Sequence, residues 1–214
     1  MALFQGQVGL PSTRQTSGNP TALMGTFGEL YESRLLPDYY SLLKAGRVFT
    51  STVAAANPTA FTGGAAGTPL IGIYNPAGSG VDLVLLEAVI GVRTTGTAAA
   101  ATDFSHFGAN QGATAITGAL TAPRQLYSMT TTGSVAQALA NVANTGALAS
   151  ALLRPSVSLG NVPATTAVLN YGLFRDEIKG EIVIAPGIYY AFGASATLTA
   201  ASIDVAVMWA EVPA

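Results

Sequence analysis

The run VDLVLLEAVIGV, Val81 to Val92, constrains the fold more than any other part of this chain. Side chains on a strand alternate between faces with a period of two. The even positions here are Asp82, Val84, Leu86, Ala88, Ile90 and Val92, and the odd ones are Val81, Leu83, Leu85, Glu87, Val89 and Gly91. Both sets are apolar over most of their length. That pattern predicts a strand buried on both faces, as in a β-sandwich pressed against another subunit.

The C-terminal third carries the same signature. EIVI (181–184), the turn APG, GIYYAFGA (187–194) and SIDVAVMWAEV (202–212) predict successive antiparallel strands. In the last, Ile203, Val205, Val207 and Trp209 share one face, with an inner sheet holding Tyr189 or Tyr190 expected opposite. Asp204, Ala206, Met208 and Ala210 form a second face whose small side chains suit close approach by another sheet. Upstream, Arg47 to Val53 and PLIGIYN (69–75) followed by NPAGSG read as strand, strand and turn. Pro155–Leu159 and Ala167–Phe174 are further expected strands. Short strands punctuated by 24 glycines and 11 prolines predict a mainly β fold, an antiparallel β-sandwich or jelly roll.

Helical signals are few. Pro37 halts a turn that would align Leu30, Tyr31, Arg34 and Leu35, and Asp38 stands where a cap would open a short helix over Tyr39–Lys44, ended by Gly46. Ser134 to Gln137 matches a capping box, with Val135, Leu139 and Val142 behind it and Gly146 after it, which predicts a second short helix. Residues 94–122, rich in Ala, Thr and Gly, read as a long loop or weak strands. Residues 1–26 have turn residues and little apolar period, so an extended N-terminal arm is expected, ordered only when laid across a neighbour. The expected organisation is an arm and helical hinge over 1–46, then a jelly-roll-like domain over 47–214 with an Ala/Thr/Gly-rich insertion around 94–150.

Charge narrows the function. Charged residues are 9% of the 214, where about a quarter is usual, and mean hydropathy is +0.44. A membrane span is not the expected explanation. The charge-free stretch from Gln125 to Leu153 is interrupted by Gln137, Asn141, Asn144 and Ser150, whereas a spanning helix needs roughly 20 predominantly apolar residues. The start, MALFQGQVGLPSTRQ, lacks a basic region followed by an apolar run. The remaining explanation is a subunit whose surface is covered by partners. The nine Lys and Arg residues are scattered, so no specific nucleic-acid binding is expected.

No chemistry is expected. The chain has no cysteine, which removes disulfides, thiol nucleophiles and cysteine-held metals. The one histidine, His106, has Asp103 and Ser105 beside it, a local arrangement unlike a folded triad. It reads as a loop or interface histidine, and His106→Ala is expected to leave assembly unaffected. Asp176 and Glu177 are adjacent and would point to opposite faces of a strand, at a solvated turn edge. The expectation is therefore not an enzyme: no catalytic, cofactor-binding or metal-binding residues, and no cofactor.

Two segments, GELYESRLLPDYYSLLKAGRVFTSTVA (28–54) and IVIAPGIYYAFGASATLTAASIDVAVMWAEVP (182–213), resemble structural proteins of tailed bacteriophages. The resemblance implies a jelly-roll minor capsid or capsid decoration protein of the virion, assembled in the host cytoplasm, and brings no catalytic residues. The implied partners are copies of the chain itself, a trimer first, and the major capsid protein or other virion subunits. A tail, fibre or spike component that attaches to a host is the alternative.

Overall fold

A computed structural model describes residues 39–61, 63, 68–94, 100–114, 116–131, 133–142, 150–162, 173–197 and 201–214. The chain divides into two units, Met1–Tyr40 and Ser41–Ala214. The expected arm, the turn before Pro37 and the first part of the strand expected over Ala167–Phe174 lie outside the described residues.

One short helix, α1 (Tyr40–Lys44), is present among the described residues. It ends as its sequence predicts, at Gly46 with φ +69°, a left-handed conformation that glycine adopts without a Cβ clash. The strands are β1 (Val48–Ala56), β2 (Ile71–Tyr74), β3 (Val81–Thr94), β4 (Ala100–Asn110), β5 (Leu120–Thr121), β6 (Arg124–Gln125), β7 (Gln137–Ala140), β8 (Ala151–Val162), β9 (Leu173–Glu177), β10 (Val183–Ile184), β11 (Ile188–Ala194) and β12 (Ser202–Pro213). They form two six-stranded sheets. The first runs β10-β3-β12-β1-β6, with β9 also on β3; the second runs β5-β7-β2-β11-β4-β8. Every pair of these strands is antiparallel. The fold is mainly β.

A single buried cluster draws from both sheets. Phe49, Leu83, Leu85, Ala88, Ile90, Ile203, Val205, Val207 and Trp209 come from the first, and Ile71, Ile73, Phe104, Tyr190 and Phe192 from the second. Burying each large side chain contributes about 1.5–3 kcal/mol. Tyr190 and Phe192 face this core, while Tyr189 and Ala191, one residue out of phase, join Phe61, Tyr74, Phe107 and Ile116 in a second cluster on the far face of the same sheet. Trp209 is fully buried and stacks on Phe49, its register partner, at 6.4 Å between centroids. Of the two tyrosines expected near it, Tyr190 shares its cluster and Tyr189 does not.

Strand β3 corrects the reading of its own pattern. Its register against β12 shifts between Met208/Glu87 and Trp209/Leu85, so Leu86 is an extra residue, a bulge. Before the bulge Leu83 and Leu85 are buried; after it the inward parity becomes Ala88 and Ile90. Both parities are apolar because the inward face changes parity at Leu86. The outer side chains Val84, Glu87 and Val89 are half-buried, as are Asp204, Ala206 and Met208 of β12.

Two further expectations change and a third is resolved. The helix after Ser134 is instead strand β7, placed between β5 and β2 with Ala138 and Leu139 fully buried. The cap signal is satisfied otherwise: Ser134 Oγ accepts the Ala136 N–H at 3.1 Å and donates to Glu211 Oε1 at 2.7 Å. Of the two readings of 94–122, a long loop or weak strands, the strand reading holds for β4, eleven residues seated between β11 and β8. Its Phe104 and His106 alternate inward, which Ala, Thr and Gly around them conceal. Strands β10, β11 and β12 are not neighbours, because β11 belongs to the second sheet and the other two to the first. The APG turn does form: Gly187, at φ +85°, donates its N–H to Asn75 O at 2.8 Å.

Candidate functional site

His106 lies in the middle of β4, where the strand's alternation points it toward the core beside Phe192, its register partner on β11. It is 0% exposed, so the expectation of a loop or interface residue is overturned. Nδ1 lies 2.7 Å from the Tyr190 hydroxyl and Nε2 lies 2.8 Å from Asp176 Oδ2. Asp176 stands on β9 of the other sheet, so the imidazole bridges the two sheets. Arg154, the register partner of His106 on β8, donates from one nitrogen to Asp176 Oδ1 and from the other to Glu181 Oε2, both at 2.5 Å. Asp103 and Ser105, the sequence neighbours of His106, do not contribute.

The electrostatics assign the protons. Burial pushes His106 below the ordinary histidine value, more than the hydrogen bond and charge of Asp176 raise it, and the Arg154 charge lowers it further. Burial alone would raise Asp176, but the nearby Ser156 hydroxyl, the hydrogen bond from His106 and the Arg154 charge hold it below the usual carboxylate value. Burial and the Asp176 charge push Tyr190 well up. The imidazole is thus neutral; Nε2–H donates to Asp176 and Nδ1 accepts from Tyr190 O–H.

An acid, an imidazole and a hydroxyl in line have the connectivity of a nucleophilic triad. Here the hydroxyl belongs to a tyrosine 1% exposed inside the shared core. Its pKa is raised, the reverse of an activated nucleophile. What this geometry does is hold two sheets together through a buried polar network in which both imidazole nitrogens are partnered. Asp176 and Glu177 do point to opposite faces, as the strand reading expected, but Asp176 is not solvated: its side chain is 12% exposed, against 49% for Glu177.

The surface is the other candidate. Among the described residues from Ser41 onward, the large apolar side chains at least half exposed number six and lie at two edges. Leu120, Tyr127 and Met129 belong to β5 and the turn after β6; Leu152, Leu153 and Leu173 belong to β8 and β9. Strands β5 and β6 end their two sheets on one side, and β8 with β9 and β10 end them on the other. A groove of about 280 Å³ opens on the second side, lined by Leu153, Ile182, Val183, Ile188 and Tyr189 among others. Neither edge is legible in the sequence, since exposure of an apolar residue depends on which strand ends its sheet.

Among the described residues no three His, Asp or Glu side chains are placed to hold a metal ion, and no helix is long and apolar enough to cross a membrane. Comparison with protein families, with curated proteins and with solved structures finds no match.

Proposed function

We propose that this chain is a structural subunit of a virion, a capsid decoration or minor capsid protein with a jelly-roll-type β-sandwich, acting by packing against copies of itself and against other virion subunits. The observation that carries this reading is the exposure of large apolar side chains, up to 72% for Leu173 and 66% for Met129, on a chain only 9% charged. Such side chains cost free energy in water, about 25 cal/mol per Å² of apolar area, and are stabilised when another subunit covers them. The resemblance of segments 28–54 and 182–213 to tailed-phage structural proteins supplies the virion context. A trimer is the leading oligomer.

The alternative, a host-attachment component of a tail, fibre or spike, would be favoured by an exposed tryptophan presented for recognition. The one tryptophan, Trp209, is fully buried, which supports the capsid reading instead.

Light scattering on the purified full chain at micromolar concentration should give the mass of a small homo-oligomer. Cryo-electron microscopy of the source particle should then place the two sheets on the capsid shell. A monomer that binds no hydrophobic dye overturns the subunit reading; density at the tail tip replaces it with the alternative.

A further inference from the structure

We infer that copies of this chain join head to tail, the β5/β6 edge of one seated in the groove at the β8/β9/β10 edge of the next. This rests on the subunit reading above and names the surfaces it would use. The two edges differ in shape and charge, and each difference bears on the mode of contact.

Shape comes first. On the first edge, Tyr127 and Met129 sit in a turn beyond the end of β6, 55% and 66% exposed. On the second, the groove of about 280 Å³ is walled by Leu153 and Val183, themselves 50% and 48% exposed. An exposed apolar turn and an apolar recess are complementary to each other and not to themselves. A contact between unlike patches is heterologous, and it closes into a ring when the rotation permits.

Charge points the same way. Lys44, Arg47 and Arg124 lie around the first edge, and among the described residues the carboxylate nearest them, Glu211, is buried and accepts from Ser134 and Val135. The second edge carries Asp176, Glu177, Glu181 and Glu87 against Arg154, Arg175 and Lys179, four carboxylates to three cations. Joining two first edges would set three cations against three more. Joining unlike edges sets them near a carboxylate excess. The exposed edge strand β8 carries Arg154 and Pro155, which oppose continuous strand-to-strand pairing and leave side-chain contact as the mode of association.

The absence of cysteine makes the test direct. Met129→Cys and Val183→Cys are made singly in differently tagged full chains, purified separately, exchanged and treated with a short bismaleimide. Both sites are about half exposed or more, so neither change opens the core. The expected result is a covalent dimer containing both tags, no dimer from either variant alone, and, for the double variant, a ladder that ends at the ring size. Self-cross-linking of one variant alone means like edges meet and overturns the head-to-tail inference. An oligomer by light scattering in which neither this pair nor Tyr127→Cys with Leu153→Cys cross-links overturns it too, while leaving the subunit reading standing. Sedimentation as a single chain overturns both.

Discussion

His106 Nε2 lies 2.8 Å from Asp176 Oδ2, joining β4 of one sheet to β9 of the other across 70 residues of sequence. The bond is made inside the protein rather than at its surface, and it continues to Tyr190 on one side and Arg154 on the other. His106→Ala therefore leaves a buried tyrosine hydroxyl without its acceptor and a carboxylate without one donor. Leaving a buried polar group unsatisfied costs about 1–3 kcal/mol. Urea unfolding should show that loss, in place of the silent change the sequence alone suggests. Asp176→Asn, which keeps an acceptor for Nε2–H but loses the charge facing Arg154, should cost less than His106→Ala. A midpoint unchanged in both variants contradicts the network.

Acid should weaken the fold in two stages. The folded His106 binds its proton less readily than the unfolded one, so its contribution is complete above about 6.5 and declines as pH falls below that value. Asp176 is also lowered on folding, so its contribution persists above its unfolded value near 3.8 and is lost only as pH falls through the folded value. Both act in one direction. Unfolding free energy followed from pH 7 to 4.5 should fall with a slope of up to about 1.4 kcal/mol per pH unit from the histidine alone. His106→Gln, without a titrating ring, should flatten that first stage and leave the second.

Trp209 reports on the shared core. It is fully buried, stacks on Phe49 and is the only tryptophan, so fluorescence has one source. Native emission should be blue-shifted and weakly quenched by iodide. Trp209→Ala empties a site between the sheets and should cost about 3–5 kcal/mol. Trp209→Phe should cost less, because the ring stack is kept and the indole N–H, which has no hydrogen-bond partner, is removed.

What the sequence made legible follows from how each element is stabilised. Strand β12 was readable because its alternation holds from Ile203 to Trp209: Ile203, Val205, Val207 and Trp209 inward, Asp204, Ala206 and Met208 outward, breaking only at Ala210, which the pattern put outward and the fold buries. In β3 the same reasoning found the strand but not the exchange of its inward parity, since a bulge at Leu86 leaves no compositional mark. Strand β7 was hidden by a genuine local signal. Ser134 and Gln137 satisfy a helix-cap pattern, but Glu211, 77 residues on, takes the serine hydroxyl. The polar network was hidden for a similar reason, as the partners of His106 come from β9 and β11. One clue was available: Phe104 and His106 share parity, which is how a strand would carry a histidine into a core.

The last test concerns how closely the second sheet is covered on its far side. Gly193, in β11, is the register partner of Ser105 and lies under Phe61. A Cβ at this position would meet Phe61 Cδ1 at 2.5 Å and Phe61 Cβ at 2.8 Å, closer than real side chains approach. Phe61 cannot simply turn away, because its backbone N–H donates to Ala194 O at 2.7 Å and its ring packs edge-on against Phe107 with centroids 5.0 Å apart. Gly193→Ala should therefore push the segment around Phe61 off the sheet, at a cost of about 1–3 kcal/mol typical of overpacking. Amide exchange distinguishes this from global loosening. Protection should fall at Phe61 and the neighbouring bonds of β11, while β3 and β12 in the other sheet keep theirs. Phe61→Leu in the Gly193→Ala background should recover part of the loss by making room for the added methyl. If the double variant is no more stable than Gly193→Ala alone, the clash with Phe61 is not why glycine stands at this position.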